Sequence, residues 1–385
     1  MKNRPQIKKV LHLTHTDIEF DSRILKEMGA LATAGYTVSG IGVVLDEGAQ
    51  KTAVPFEANI TALNLRSRKL TFLPRTLRHV VTLLELVGKM LPRAVRERPD
   101  VIHCHDTLVL PLGCIVKCLT GAKLVYDAHE LESNRNGLTK LQGALTLHME
   151  KLLWRFVDAL IVVSPSIERW YQENIGPKRS AVILNAPLFF DARHQDEDYL
   201  RKTFSIPVES KIFIYVGILG HGRGIDLLTE AFKDPQVSSH VVFLGYGELS
   251  EELKRLAAQQ PNLHVHDAVP HSQVVPIAQS ADFGLCLVRD VSLSDYYCLP
   301  NKLFEYCFAG VPVLASDFPD IRALLAEYGV GECCKLQAHD VRDAILRLER
   351  SQSTFKFADL APLSWQAQEL KLVELYQQSL SATNH

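Results

Sequence analysis

Short apolar, β-branched runs alternate with longer helix-patterned segments along the whole of this 385-residue chain, and that alternation constrains its fold more than any other feature. Runs that are apolar at every position suit strands buried on both faces, and strands separated by helices pair in parallel through crossovers. The spacing predicts strands over 10–15, 37–44, 101–104, 123–126, 159–163 and 182–184, then a second series over 212–216, 241–244, 263–266, 283–288 and 311–315. Helical patterns fill the gaps, among them 23–34, 141–156, 225–232 and 251–259. The polar stretch 191–199, after Ala186-Pro187, reads as a linker. The chain is therefore expected to be α/β, with two Rossmann-like, doubly wound parallel-sheet domains. Residues 1–190 form the first and 191–364 the second, and a last helix over 365–385 packs back on the first. In such folds ligands bind at the C-terminal ends of the strands, here expected to face a cleft between the domains.

Composition narrows the class further. With 47% hydrophobic and 22% charged residues, the chain is neither disordered nor a disulfide-rich miniprotein. No CxxC pair occurs among the eight cysteines, Lys, Asn and Arg follow Met1, and no run of about 18 apolar residues is present. A reduced, cytoplasmic protein is the expectation. The formal charge of −2 is a cancellation. Residues 1–190 carry 25 Lys and Arg against 18 Asp and Glu, a net of +7, and the remainder carries 17 against 26, a net of −9. Residues 66–98 alone hold nine Lys and Arg against Glu85 and Glu97, interleaved with Leu, Val, Phe and Met. A basic, apolar stretch of this kind suits an anionic membrane surface or, equally, a crossover helix with a solvated basic face. Apart from Phe72, interleaved aromatics are missing, as is a reader motif, so nucleic acid is not the expected partner.

Three segments carry chemistry. In the first, Pro300 opens a helix that Gly310 stops, and the N-terminus between them offers unpaired N–H groups and a partial positive charge. Asn301, Lys302 and Leu303 lie at that end, with Lys302 adding a cation. Glu305, one turn in, can accept hydrogen bonds from a vicinal diol such as a ribose. The second runs from a strand into Gly217, Gly220, Gly222, Arg223 and Gly224, where a close backbone approach to a diphosphate is open and Arg223 can clamp it. A further glycine turn, Gly245-Tyr246-Gly247, follows the next strand. Each of these alone also reads as an ordinary connector. In the first half, polar groups gather at successive strand ends: His15, Asp17, Asp21 and Arg23; His105 and Asp106; Asp127, His129 and Glu130. HExxH and CxxC spacings are absent, and no metal is expected.

At these residues the chain resembles the retaining glycosyltransferases of family 4, which have the two-domain GT-B fold. The likeness runs through Asp21-x-Arg23-Ile24, Gly35-Tyr-x-Val38, Pro99 to Asp106, Leu124 to Glu130, Val163-Ser-Pro-Ser166, Ile183-Leu-Asn185, Arg223-Gly-Ile-Asp226, Pro300 to Gly310 and Trp365. The resemblance implies a UDP- or GDP-sugar donor held by the second domain and a saccharide acceptor, expected to be lipid-linked, held by the first. It implies that Glu305 takes the ribose, that Arg223 takes the diphosphate and that His129 lies near the reacting centre, with no cofactor. Gly220, Gly222, Gly245, Gly247, Asn301, Lys302 and Leu303 would complete the donor site. His15, Asp17, Asp21, Arg23, His105, Asp106 and Asp127 would line the acceptor side. Two positions depart from the family pattern, Tyr297 in place of an acid and Ile218 in place of a second base. Asp295, Asn301 or Lys302 are the expected substitutes in sugar recognition. Two rivals share the same nucleotide site: a GT-B nucleotide-sugar epimerase and a nucleotide-sugar-binding pseudoenzyme.

Overall fold

The computed structural model describes residues 8–45, 56–187, 198–351 and 355–381. The chain divides into two compact units, one of Met1–Ile183 with Glu369–His385 and the other of Leu184–Gln368. The divisions fall at 183/184 and 368/369, against the expected 190/191 and 364/365. Most of the expected linker, residues 191–197, lies outside the described residues.

The first unit is built on seven parallel strands: β1 (Lys9–Leu13), β2 (Thr37–Val43), β3 (Asn59–Leu63), β4 (Val101–His105), β5 (Lys123–Ala128), β6 (Ala159–Val162) and β7 (Arg179–Val182). Their spatial order is β3-β2-β1-β4-β5-β6-β7, so the winding reverses between β1 and β4. The central strands are buried along nearly their whole length, which is why they read as unbroken apolar runs. The edge strands β3 and β7 are only partly covered. β3 was not anticipated, and β7 lies three residues before the expected 182–184.

The second unit has six parallel strands: β8 (Ile212–Val216), β9 (His240–Leu244), β10 (Leu263–His266), β11 (Phe283–Cys286), β12 (Val313–Ser316) and β13 (Gly331–Cys334), in the order β10-β9-β8-β11-β12-β13. The winding reverses between β8 and β11. In both sheets the reversal leaves a crevice beyond the carboxyl ends of the two central strands.

The basic segment 66–98 resolves into a 3-10 turn, Arg66–Lys69, and a long helix, Arg75–Glu97. Leu86, Met90 and Ala94 of that helix are buried, while Leu77, Val80 and Leu84 on another face are 48%, 50% and 67% exposed. No helix among the described residues is long and apolar enough to cross a membrane.

Candidate functional site

In the second unit the glycine loop after β8 crosses the reversal point. Gly224 passes so close to Leu287, just beyond β11, that an added Cβ would collide with the Leu287 side chain. The turn after β9 packs on the same loop, backbone against backbone. Leu219 N donates to the Tyr246 carbonyl at 2.7 Å, and a Cβ on Gly245 would strike the Gly217 carbonyl oxygen. Gly222, Gly245 and Gly247 have φ of 76°, 155° and 154°, which other residues rarely adopt. Glu248 accepts from His221 N at 3.1 Å and steadies the loop.

The helix Asn301–Ala309 begins at Pro300, which caps it in an extended conformation, and stops at Gly310 with φ of 70°. Its core face includes Leu303, Phe304, Tyr306 and Cys307. Tyr306 fixes the helix to the sheet. Its hydroxyl accepts from Val216 N at 2.8 Å and donates to the Ile214 carbonyl at 3.0 Å. That anchoring places Lys302 against the end of β8. Its Nζ lies 3.4 Å from the centre of the Tyr215 ring and 3.8 Å from where a Cβ of Gly217 would be. The Nζ is buried and has no hydrogen-bond partner among the described residues. A ring face partly offsets the desolvation of an ammonium but gives its protons no acceptor. Arg223, on the glycine loop, is exposed and has no acidic partner among the described residues. Two cations, glycine turns and a helix N-terminus are the elements that would suit an anion.

Glu305 is 7% exposed and sits 3.2 Å from His271 Nε2. His271 comes from the helix His271–Ala278 and carries no motif that would have singled it out. Leu303, expected among the donor contacts, is fully buried, and its N–H is spent on the Pro300 carbonyl. It therefore supports the helix and offers a ligand nothing. Asp295 is held by a capping interaction, 2.7 Å from Ser292 Oγ.

In the first unit the strand-end residues converge, but most lie beneath the surface. His103 and His105 alternate onto one face of β4, His12 of β1 pairs with His103, and Asp127 of β5 pairs with His105. The helix Ser22–Thr33 lays Arg23 and Glu27 across them, one turn apart. Arg23 grips Asp127 through Nε at 3.2 Å and Nη2 at 2.9 Å, and reaches Glu27 at 3.1 Å and the Ile183 carbonyl at 2.9 Å. His129 Nε2 lies 3.0 Å from Asp127 Oδ2 and 3.1 Å from His105 Nδ1. His105 Nε2 in turn meets His12 Nδ1 at 2.9 Å. Tyr376, on the C-terminal helix Trp365–Ser381, reaches His103 Nδ1 at 2.7 Å.

Burial lowers the pKa of His12, His103 and His105 and keeps them neutral. Burial also pushes Glu27 up to about 8, with Asp127 adding to it. Asp127 is held well below the carboxylate range, because Arg23 and His129 outweigh its burial. Glu27, His103, His105 and Asp127 are close enough together to suggest an ion site. However, the His103 and His105 rings are stacked 4.4 Å apart within 15° of parallel, so their in-plane lone pairs run side by side and do not converge. The positive charge at the centre is the Arg23 guanidinium.

Arg23, His105 and Asp127 are thus buried supports, contrary to the expectation that they line an acceptor surface. Asp17 and Asp21 serve as helix caps, accepting from Glu19 N and from Arg23 N and Ile24 N. His15, Asp106 and His129 reach the surface together, with side chains 28%, 14% and 19% exposed, while Glu130 is exposed and Asp21 partly so. Asp106 holds a φ of 65°, unusual for a residue other than glycine.

Two family models match the chain: the glycosyl transferase 4-like domain over residues 22–186 and the glycosyl transferases group 1 over residues 196–358. A D-inositol 3-phosphate glycosyltransferase of Corynebacterium diphtheriae is 27% identical over 243 residues, covering 57% of this chain and 55% of that protein. The chain spans about half the length of such curated relatives. Among solved structures, sucrose-phosphate synthase from Thermosynechococcus elongatus superposes with a TM-score of 0.74 at 17% identity, covering 98% of this chain and all of that one. Anabaena HepE, solved with UDP-glucose, superposes at 0.68 and 16% identity, covering 97% and 98%. At such identities these two likenesses establish the fold.

Proposed function

The chain belongs to the family 4 type of glycosyltransferases with the GT-B fold, and from that premise we propose that it transfers a hexose-type sugar from a nucleoside-diphosphate donor to a saccharide acceptor with retention of configuration. The observation that carries this reading is the buried Lys302 ammonium, which lies beside glycine turns and a helix end and has no acceptor of its own. A diphosphate oxygen supplies that acceptor. Arg223 approaches the same diphosphate from the glycine loop and Asn301 lies at the helix end, while Glu305, braced by His271, faces the ribose diol. A UDP-sugar is the preferred donor, since the Anabaena neighbour was solved with UDP-glucose, with a GDP-sugar as the alternative.

Charge dictates the chemistry. As the bond between the sugar C1 and the phosphate oxygen breaks, negative charge builds on the diphosphate. Preorganised cations and N–H groups stabilise that charge without a metal at the phosphates. The acceptor hydroxyl attacks C1 on the face the diphosphate leaves, and its proton passes to the departing phosphate oxygen. His129 orients and stabilises the reacting groups and forms no covalent bond. Incubation with UDP-, GDP- and dTDP-sugars in EDTA and without acceptor tests the reading. Slow hydrolysis to free sugar and nucleotide is expected. Epimerised donor, or binding with neither hydrolysis nor transfer to any added saccharide, would contradict it.

A lipid-linked acceptor fits the first unit's charge. Leu77, Val80 and Leu84 form an exposed apolar stripe on the Arg75–Glu97 helix, beside the 78% exposed Phe72 and within the basic segment. This face rests in the headgroup region of an anionic membrane, so the protein works peripherally on the cytoplasmic side. Flotation with anionic liposomes at low salt is expected to carry the wild type upward, and Leu77→Asp with Leu84→Asp is expected to abolish it. Wild-type protein left at the bottom would remove the membrane from the account.

A further inference from the structure

His129 stands between two carboxylates. Its Nε2 is 3.0 Å from Asp127 Oδ2, and its Nδ1 is 3.6 Å from Asp106 Oδ1. An unprotonated Nε2 would point a lone pair at the Asp127 oxygen, so that nitrogen carries a proton. His105 Nδ1 lies 3.1 Å from His129 Nε2 and 3.3 Å from Asp127 Oδ2; with the shorter Asp127 contact taken by His129 Nε2–H, His105 carries its proton on Nε2, toward His12. At the other edge of the ring, an unprotonated Nδ1 would face the Asp106 carboxylate. A ring flanked by carboxylates at both edges is best accommodated with a proton on each nitrogen, as a cation.

The surroundings favour that state. Asp127 lies on β5 and Asp106 follows β4. Arg23 and Glu27 come from the helix above, His105 from β4 and His15 from the end of β1, with Arg135 acting on His15. Burial and Arg23 oppose a charge on His129, but Asp127 and then Asp106 override them and raise its pKa to about 10. Arg23 fixes both Asp127 oxygens and keeps that carboxylate ionised beneath the ring.

We propose that Asp127, backed by Arg23, is a positioning residue that holds His129 doubly protonated, so that the ring offers its Nδ1–H to an oxygen of the ligand and does not accept a proton. The Nδ1 atom is 3.6 Å from Asp106, beyond a good hydrogen bond, and so is placed to be claimed by a ligand oxygen. The part played in catalysis rests on the glycosyl-transfer reading. The charge state does not.

Long-range nitrogen–proton NMR of the full chain labelled with [15N]histidine reads that state directly, with His129 identified by the signal lost in His129→Gln. Both ring nitrogens are expected to keep the imidazolium signature from about pH 6 to about pH 9, where an ordinary histidine titrates near 6.5. Asp127→Asn is expected to bring the titration below pH ~7, because burial then acts without its counter-charge. Asp106→Asn, at a partly exposed position that tolerates the change, is expected to lower it less. A wild-type His129 that is neutral at about pH 8 overturns the proposal, as does an unchanged titration in a folded Asp127→Asn. The pH dependence of kcat supplies the separate test of role. A wild-type kcat that shows no His129 ionisation over the same pH range, but falls above about pH 7 in Asp127→Asn, supports it. Full turnover by His129→Gln refutes the role while leaving the charge state intact.

Discussion

Lys302→Ala is expected to lower kcat/KM for the nucleotide-sugar by roughly 10²–10³-fold, the usual cost of losing one preorganised group that stabilises developing negative charge. The ammonium is held rigidly by the Tyr306 anchor and the Tyr215 ring, so it is in place before the diphosphate leaves. The same substitution should leave stability unchanged or raise it by up to about 1 kcal/mol, since it removes a buried ammonium that has no acceptor. Opposite signs for activity and stability distinguish a functional cation from a structural one. Steady-state kinetics paired with thermal melts of the same variant measure both. A variant that loses stability and keeps its turnover would show that Lys302 serves the fold.

Arg23→Met should have the largest effect on the fold, a loss of about 3–5 kcal/mol from the first unit, because Glu27 would be left buried without a counter-cation and Asp127 with His129 alone. Both side chains are fully buried, so water cannot take over the guanidinium's role. The loss should depend on pH. In the wild type the depressed pKa of Asp127 contributes stability that is present above the ordinary carboxylate range and lost as pH falls through its folded value. In the wild type Glu27, raised to about 8, already costs some stability as pH rises; in Arg23→Met it would hold its proton more tightly still, and Asp127 would lose part of its depression. The variant should therefore recover stability on acidification from about pH 8 to about pH 5.5. Urea unfolding at the two pH values measures this. A deficit independent of pH would mean that Arg23 contributes packing and the Ile183 carbonyl bond, and little charge compensation.

How much was legible in the sequence follows from where the determinants lie. The central strands and the Asn301–Ala309 helix were readable because their signals are local: unbroken apolar runs, an opening proline and a closing glycine. The edge strands were harder. Asn59–Leu63 and Gly331–Cys334 are short and half-covered, and burial had no reason to make them uniformly apolar. The anion site was legible for the same local reason, except for His271, whose only distinction is its place beside Glu305.

The cluster beneath His129 is different, because Arg23 and Asp127 are 104 residues apart and His103 and Tyr376 are 273 apart. Gathering polar residues by strand end found His129 and Asp106 but could not separate those at the surface from those below it. The period-two pair His103 and His105 and the one-turn pair Arg23 and Glu27 were the available signals for a buried polar row. Tyr376 carried none.

Calorimetric titration of UDP and GDP in EDTA reads out whether the second unit holds a nucleoside diphosphate through its own cations and backbone. One diphosphate is expected to bind per chain with a Kd of roughly micromolar order, weakened at least ~10-fold by Lys302→Ala. No binding of either diphosphate in EDTA, with binding restored by a divalent cation, would contradict it.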